Sequence, residues 1–343
     1  MVITKIYRPD QVDQAADELK KGELIAFPTE TVYGLGADAT NEQAVKRVYL
    51  AKGRPSDNPL IVTVSSVKMV EKYATEISPV AHKLIEHYWP GPLTLIFKIK
   101  LGSLPNAVTG GLKTAAFRMP ANTVTRKLIE LAGVPIVGPS ANSSGKPSPT
   151  TAAHVFHDLE GRIAGIINDG STQVGVESTI IDLSTKIPTV LRPGAITVEE
   201  LESFLQRPVI SDRHQVGAQE IPKAPGMKYK HYAPDAQVLM VKEALWPAAL
   251  QWAAKQPEKI GVMASTAVIK QGLPTNCLPY DLGETVQTAS HRLFAGLRNF
   301  DDQQKVNWIL TAAYPETGLG TAYMNRLRKS SGNAFFTRNN PGN

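Results

Sequence analysis

Short apolar runs alternate with amphipathic helical segments along most of the chain, and this alternation constrains the fold more than any other feature. Leu24–Phe27, Leu60–Val64 and Leu93–Ile99 are runs of strand length, the last with apolar residues at every second position. Pro9–Lys20 and Asn41–Lys52 carry apolar residues at helical spacing. Strands interleaved with helices, some joined by short turns, predict an α/β fold with a mixed open sheet.

The pattern continues to about residue 207 and restarts after residue 234. In the first part, we predict further strands at Ala115–Met119, Pro135–Gly138, Ile163–Ile167, Thr179–Leu183 and Thr189–Arg192, and helices from Pro79 to before Pro90 and at Val124–Ala132, Thr151–Asp158 and Val198–Leu205. In the second part, we predict strands at Gln237–Val241, Ile260–Met263 and Trp308–Ala312, and helices at Ala244–Ala254, Val286–Arg298 and Thr321–Arg328. Because 343 residues exceed one ordinary domain, we expect one domain over 1–207 and a second, smaller α/β domain over 235–343.

Residues 208–234 separate the two patterns and show no clean periodicity. Basic and histidine residues stand there among proline and glycine: Arg213, His214, Lys223, Lys228, Lys230 and His231. A structureless stretch of this length is either a linker or a functional lid. Tyr229 and Tyr232 interleave with the cations, which favours a lid over a nucleotide, with contact to RNA as an alternative.

Charge and composition narrow the class of protein. A net charge of +6 is a mild excess that suits an anionic ligand such as a nucleotide or RNA. A single cysteine, Cys277, excludes an internal disulfide and any cysteine-rich metal site. No apolar run is long enough to span a membrane, and the N-terminal sequence lacks the apolar core of a signal peptide. We therefore expect a cytoplasmic protein.

Two glycine-containing segments resemble nucleotide motifs without matching them. Tyr33–Ala39 loosely fits the dinucleotide fingerprint, but Pro28–Thr31 intervenes where the strand should enter the first glycine. We interpret it as a loop of polar side chains held by glycine turns. Gly138–Lys146 has the wrong glycine spacing for a P-loop, and Pro147 stands where Ser or Thr would hold magnesium. Its hydroxyl, amide and backbone N–H groups can still bind phosphate or adenine, although a plain polar turn remains an alternative.

Cations stand where predicted elements end. Lys52 and Arg54 flank Gly53 at a helix C-terminus, where they either complement the helix dipole or form a clamp for phosphates. Arg118 and Arg192 end two strands. With these cations, nearby polar side chains make a donor-rich site suited to carboxylate and polyphosphate: Thr31, Ser140, Asn142 and Ser178.

The sequence offers no evident general base. It contains neither an HExxH motif nor a serine nucleophile elbow, and its paired histidines on helices favour packing over metal binding. Glu30, Glu177 and Asp182 lie nearest the candidate loops, where they could orient an amine or magnesium or pair with an arginine. A site of donors without a base favours reactions driven by positioning and charge neutralisation, such as phosphoryl or nucleotidyl transfer.

Taken together, these segments resemble the threonylcarbamoyl-AMP synthases in their two-domain form, a YrdC-like domain followed by a smaller C-terminal domain. The matching segments are Phe27–Gly36, Lys52–Pro55, Asn58–Leu60, Pro139–Asn142, Glu177–Ile180, Leu191–Gly194, Lys230–Pro234, Gly318–Gly320 and Met324–Leu327. They span nearly the full chain in the right order.

The resemblance implies a twisted mixed sheet of the YrdC-like type and a Rossmann-like second domain. It further implies an ATP-dependent reaction of L-threonine with bicarbonate that gives threonylcarbamoyl-adenylate and pyrophosphate, with Mg²⁺ held mainly by the ATP phosphates. Partner proteins would use the adenylate to modify the adenosine beside the tRNA anticodon, and this chain itself could contact tRNA weakly.

The resemblance also implies roles for individual residues. Those matching threonine-binding positions are Thr31, Thr63, Arg118, Ser140 and Ser178, with Arg118 on the threonine carboxylate. Those matching ATP-binding positions are Lys52, Arg54, Asn58, Thr114, Asn142, Arg192 and Tyr232, with Thr114 the weaker match and Tyr232 closing over the nucleotide. Lys52 and Arg54 would also act catalytically against the leaving pyrophosphate. Many relatives have histidine where this chain has Thr63, which argues against proton transfer there.

Two other functions compete with this interpretation. A basic two-domain protein could bind structured RNA without catalysis, in which case binding would weaken steeply with salt. A carbamoyltransferase module acting on carbamoyl phosphate is the other alternative, but those larger enzymes carry zinc-finger and acylphosphatase segments that this sequence does not show.

Overall fold

The computed structural model describes residues 2–56, 58–212, 222–224 and 231–338. The described residues form two compact units. The first comprises the described parts of Met1–Ser144, Ser148–Gln173 and Glu177–Tyr229, and the second those of Gly145–Pro147, Val174–Val176 and Lys230–Asn343. Most of the predicted lid, residues 213–221 and 225–230, lies outside the described residues. The predicted boundaries at 207 and 235 therefore stay a prediction.

In the described residues, the first unit contains one mixed sheet of eleven strands. In chain order these are β1 (Lys5–Tyr7), β2 (Ile25–Phe27), β3 (Gly34–Asp38), β4 (Ile61–Thr63), β5 (Leu93–Lys98), β6 (Thr114–Arg118), β7 (Ile136–Val137), β8 (Gly165–Ile167), β9 (Thr179–Asp182), β10 (Thr189–Arg192) and β11 (Ile210–Ser211). Their order across the sheet is β1-β8-β2-β3-β7-β4-β6-β5-β9-β10-β11. Parallel and antiparallel pairs are mixed, as predicted.

Helices cover both faces of this sheet. They are α1 (Val12–Lys20), α2 (Glu42–Lys52), α3 (Val67–Glu71), α4 (Pro79–Tyr88), α5 (Asn106–Thr109), α6 (Thr123–Ala132), α7 (Ala152–Leu159) and α8 (Val198–Leu205). Ile25 and Phe27 pack with α1 and α6 in one buried cluster, whereas the alternate residue Ala26 packs with α2, α4 and α7 in another. Successive strand residues face opposite sides, so this split places a helical layer on each face.

The ends of α2 are set by capping chemistry that the sequence predicts. The Asn41 side chain accepts hydrogen bonds from the backbone of Gln43 and Ala44, and Gly53 adopts a left-handed φ of 62° at the C-cap. This places Lys52 in the last helical turn and Arg54 just beyond it.

The interpretation of Tyr33–Ala39 as a loop is wrong, because Gly34–Asp38 is strand β3, paired antiparallel with β2. A Cβ added to Gly34 would lie 2.5 Å from the Phe27 ring, and one added to Gly36 would lie 2.9 Å from the Ile25 carbonyl oxygen. Glycine is therefore required for close packing in a strand rather than for a turn. The short strands β1 and β11 were also not predicted.

The second unit is built on a parallel sheet with the order β12-β15-β13-β14. Its strands are β12 (Gln237–Val241), β13 (Ile260–Ala264), β14 (Cys277–Asp281) and β15 (Trp308–Ala312), and its helices are α9 (Trp246–Ala253), α10 (Thr266–Lys270), α11 (Val286–Arg298) and α12 (Leu319–Ser331). A π-helical turn, Asn299–Gln304, follows α11. The predicted smaller Rossmann-like α/β domain is confirmed in class, although β14 was not predicted. Within the described residues, none of the helices has the length and apolar character needed to cross a bilayer.

Candidate active site

One transverse row of the first sheet carries polar side chains. Thr63 at the end of β4 is the register partner of Arg118 at the end of β6. On the other side of β6, the pairing of Leu95 with Phe117 continues by one position to place Thr94 of β5 beside Arg118. Paired residues project to the same face, so three buried polar groups line up on one surface.

Arg118 is held by three partners. Its Nη1 donates to Thr31 Oγ1 at 2.8 Å and its Nε donates to the Gly91 carbonyl at 3.2 Å. Its Nη2 lies 2.7 Å from Glu30 Oε1 in a buried ion pair. Within the described residues, two of the five N–H groups of the guanidinium donate hydrogen bonds, to Thr31 and Gly91, and Nη2 meets Glu30 as an ion pair. The arginine is thus fixed in place and retains donors for a ligand.

A second arginine is fixed further along the sheet. Arg192 of β10 donates from Nη2 to Ser178 Oγ and from Nε to the Ser178 carbonyl, both at 3.1 Å. Ser178 Oγ also lies 2.8 Å from Thr94 Oγ1. A Cβ on Gly194 would lie 2.3 Å from the Thr179 nitrogen, so the chain after β10 must be glycine to pack here. The polar row thereby extends to Ser178 and Arg192.

Sequence reasoning missed Thr94, which is fully buried in this row. A signal was present, because Leu93 and Leu95 alternate onto one face of β5 and leave Thr94 on the other. A lone hydroxyl in an apolar strand is typical of a position with a specific hydrogen-bond partner.

Lys52 organises the loop that follows β7. Its Nζ donates to the carbonyl oxygens of Ser140 and Asn142, the second at 2.6 Å. Ser140 Oγ donates to Asn142 Oδ1 at 2.5 Å. The Ala141 nitrogen donates to the Tyr33 carbonyl at 2.9 Å, which ties this loop to the segment that carries Thr31. The Lys52–Ser140–Asn142 cluster and the polar row are therefore neighbours.

Asn58 supplies a buried amide. Its side chain is fully buried, and neither its Oδ1 nor its Nδ2 has a hydrogen-bond partner in the described part of the chain. Its backbone carbonyl accepts from the Tyr49 hydroxyl at 2.9 Å. Arg54 is half-buried nearby, with Nη2 3.5 Å from the Pro59 carbonyl. A buried amide without a partner requires an explanation, and a ligand would provide one.

Thr114 and Tyr232 are the two remaining residues predicted to bind ATP. Thr114 begins β6, four residues before Arg118, which separates their Cα atoms by about 13 Å along the strand. Tyr232 belongs to the second unit, where its ring lies 5.2 Å from that of Phe294 and its φ is 63°. Their predicted roles stay predictions.

The three acidic residues nearest the loops have separate partners. Glu30 pairs with Arg118, Glu177 accepts from Ser148 Oγ at 2.5 Å, and Asp182 lies 3.4 Å from Lys223 Nζ. Across the described ranges, no group of three or more His, Cys, Asp or Glu residues could hold a metal ion. The site is rich in cations, hydroxyls and amides.

The fold and site define a two-domain α/β enzyme with a polar, cationic centre on its larger sheet. A family model described as telomere recombination matches residues 17–194, and one described as the C-terminal domain of threonylcarbamoyl-AMP synthase matches residues 196–332. The chain belongs to the threonylcarbamoyl-AMP synthase family.

Similar proteins with that name cover nearly the full length. The threonylcarbamoyl-AMP synthase of Pyrococcus abyssi is 46% identical over 93% of this chain and 93% of its own. That of Bacillus subtilis is 44% identical over 94% of this chain and 93% of its own. These matches confirm the family and the enzyme class predicted from the sequence.

Solved structures confirm the architecture. The crystal structure of P. abyssi Sua5 complexed with L-threonine superposes with a TM-score of 0.89 at 43% identity, covering 97% of this chain and 99% of that one. E. coli YciO superposes with a TM-score of 0.52 at 23% identity over 59% of this chain and all of that one. The second likeness concerns the fold alone, and it supports the predicted YrdC-like type of the first domain.

Proposed function

We propose that this chain joins L-threonine, bicarbonate and ATP into threonylcarbamoyl-AMP with release of pyrophosphate. The adenylate would serve partner proteins that modify the adenosine beside the tRNA anticodon. The observation that carries the proposal is the polar row, in which Arg118 and Arg192 are both fixed by hydroxyl-bearing residues, Thr31 and Ser178, on one sheet. A cytoplasmic location accompanies the proposal, because ATP and tRNA are available there.

The polar row suits an amino acid. The N–H groups of Arg118 that make no hydrogen bond within the described residues match a carboxylate, which arginine binds through paired hydrogen bonds. Hydroxyls of Thr31, Thr63 and Ser178 can bond the amine and hydroxyl of threonine, and Ser140 lies in the adjoining loop. The P. abyssi Sua5 structure complexed with L-threonine supports threonine as the substrate.

The remaining cations suit a triphosphate. Lys52 and Arg54 are separated by one glycine at the end of α2, and the buried Asn58 amide next to them offers both a donor and an acceptor. The Asn142 carbonyl accepts from Lys52 Nζ at 2.6 Å, and Arg192, Tyr232 and Thr114 complete the proposed ATP-binding set.

The reaction requires mainly that the substrates are held in position and that the charge on the leaving pyrophosphate is neutralised. The threonine amine adds to carbon dioxide formed from bicarbonate and loses a proton, which gives a carbamate. A carbamate oxygen then bonds to the α-phosphorus while the bond to pyrophosphate breaks. Lys52 and Arg54 would neutralise the charge that develops on pyrophosphate. Thr63 is unsuited to proton transfer, and carbamate formation does not require it.

Mg²⁺ would be part of the nucleotide substrate in this proposal. The donors around Lys52 are cations, amides and hydroxyls, whereas magnesium prefers carboxylate and phosphate oxygens. Glu30 is engaged by Arg118 and Glu177 by Ser148. These residues do not form a carboxylate cage, so the phosphates themselves would hold the ion.

The test is incubation of the chain with ATP, Mg²⁺, bicarbonate and one amino acid at a time. We expect pyrophosphate release with threonine and weak release with serine, and mass detection of the adenylate in the threonine reaction. Omission of bicarbonate is the matched control. Pyrophosphate release that does not depend on threonine would contradict the proposal, and salt-sensitive RNA binding without turnover would favour the alternative of an RNA-binding module.

A further inference from the structure

Two loops that carry candidate site residues each include a short segment that belongs to the second unit. Gly145–Pro147 begins three residues after Asn142, and Val174–Val176 ends two residues before Ser178. Both short segments belong to the second unit, although the residues flanking them belong to the first. In the first unit, Ser148 Oγ donates to Glu177 Oε1 at 2.5 Å. Ser148 directly follows the first segment and Glu177 directly follows the second, so this hydrogen bond joins the two loops.

One face of α11 contacts both segments. Arg298, only 2% exposed, donates from Nε and Nη2 to the Pro147 carbonyl at 3.1 and 2.6 Å. Gly175 has a φ of +79°, and a Cβ there would lie 2.4 Å from the Cα of His291. Residues 291 and 298 are two helical turns apart and lie on the same face.

A third segment rests between them on the same face. The ring of Tyr232 lies 5.2 Å from that of Phe294, which is one turn after His291 and one turn before Arg298. The Ala233 nitrogen donates to the Gly145 carbonyl at 2.8 Å. The segment carrying the predicted nucleotide-covering tyrosine is thereby bonded to the loop that follows Asn142.

Ion pairs hold the first of these loops. Lys146 Nζ lies 2.7 Å from Asp235 and 2.9 Å from Asp301, and Asp301 lies in the π-helical turn that continues α11. The helix and its extension therefore bond two consecutive residues of the loop, Lys146 and Pro147.

From these contacts we propose that α11 is a positioning element for the synthase site in the first unit. Arg298 would be the positioning residue for the Asn142 loop, and Gly175 would allow the Ser178 loop to seat on the helix. The inference rests on the proposed function, because it assigns Asn142 to ATP and Ser178 to threonine. A site that acts by positioning is sensitive to displacements of about 1 Å, so contacts remote from substrate can control it.

The kinetic test compares Arg298→Ala, Arg298→Lys and Gly175→Ala. We expect Arg298→Ala to raise the KM for ATP roughly tenfold, with a smaller change for threonine, and Arg298→Lys to restore part of the loss. Gly175→Ala should show the opposite selectivity, raising the KM for threonine more. Leu297→Ala is the matched control, because Leu297 is fully buried beside Arg298 and its apolar side chain cannot donate to the Pro147 carbonyl.

Hydrogen–deuterium exchange separates this inference from the proposed function. In Arg298→Ala, faster exchange of residues 139–148 than in Leu297→Ala, together with the KM selectivity, supports the positioning role. Unchanged exchange and unchanged KM values would overturn it, as would equal KM changes in Leu297→Ala. If the wild-type chain makes no adenylate, the proposed function fails. The inference is then tested by titration calorimetry with ATP and with threonine, which measures affinities in place of KM values. A selective loss of affinity in each variant supports the positioning role, and the absence of such a loss overturns it.

Discussion

Arg118 and Glu30 form a buried ion pair, with 2.7 Å between Nη2 and Oε1 and both side chains less than 10% exposed. The pair leaves the guanidinium in contact with Thr31 Oγ1 at 2.8 Å. Glu30 is held in turn by the Ala121 nitrogen at 3.1 Å. The cation that would meet the substrate carboxylate is thus oriented before any ligand arrives, which reduces the entropy lost on binding.

Arg118→Met should separate the structural role of this pair from its functional role. Removing one partner of a buried ion pair leaves the other charge uncompensated and costs about 3–5 kcal/mol. We expect Arg118→Met to lower the free energy of unfolding by that order, and the double variant with Glu30→Gln to recover most of it. Urea unfolding and threonine-dependent pyrophosphate release are the measurements. A double variant that regains both stability and turnover would show that Arg118 has no role in binding threonine.

Asn58→Leu should weaken ATP binding without lowering the free energy of unfolding. The Asn58 amide is fully buried without a partner in the described residues, and such a group costs about 1–3 kcal/mol. Leucine removes that cost at similar volume, so we expect equal or greater stability and an ATP KM raised at least roughly tenfold. Asn122→Leu is the control, because it removes the cap that accepts from the Thr125 nitrogen at 2.9 Å. It should lose stability by about 1 kcal/mol and keep its ATP KM.

Arg54→Ala should lower the rate far more than the stability. As a cation beyond the end of α2, Arg54 contributes only about 0.3–1 kcal/mol to folding. A charge-assisted bond to phosphate contributes about 1.5–3 kcal/mol, which corresponds to a loss of roughly 10- to 150-fold in kcat/KM. Lys46→Ala on the same helix is the control, since Lys46 forms an exposed pair with Glu42 at 3.0 Å. An Arg54→Ala protein that unfolds but keeps its specific activity would exclude the clamp.

The elements with local signals were predictable from the sequence. Helix α2 has an Asn41 cap and a Gly53 C-cap, both of which act within a few residues. The grouping of Thr31, Arg118, Ser178 and Arg192 into a donor-rich site was also predicted. These four side chains are bonded in two pairs, Thr31 with Arg118 across 87 residues and Ser178 with Arg192 across 14.

Features that depend on distant partners were not predictable. Strand β3 was missed because its glycines pack against Phe27, and a single sequence does not distinguish this use of glycine from a turn. The inclusion of Gly145–Pro147 in the second unit depends on Arg298, about 150 residues later. Such pairings are set by packing rather than by local propensity.

Thr94→Val should weaken threonine binding. It removes the hydroxyl that lies 2.8 Å from Ser178 Oγ while keeping the shape of the side chain. We expect a stability loss of about 0.5–1.5 kcal/mol and a threonine KM raised roughly three- to tenfold, with a smaller effect on the ATP KM. Thr109→Val in α5 provides the comparison, because Thr109 is also buried and its hydroxyl accepts from the nearby Gly111 nitrogen at 3.2 Å, away from Ser178 in the chain. Equal KM changes in both variants would contradict a specific role for Thr94.

Tyr33 should make the chain less stable at high pH. Burial of its phenol, which donates to the Gly170 carbonyl at 2.7 Å, raises the pKa of Tyr33 from 10.0 to about 12. Between these values the folded state keeps a proton that the unfolded chain loses, so stability is complete below pH 10 and falls as the pH rises toward 12. The loss reaches about 2–3 kcal/mol. Urea unfolding at pH 9 and at pH 11.5 should show a smaller decline in Tyr33→Phe than in the wild type, since all other tyrosines titrate in both. Equal declines would mean that Tyr33 ionises as readily in the folded protein as in the unfolded chain.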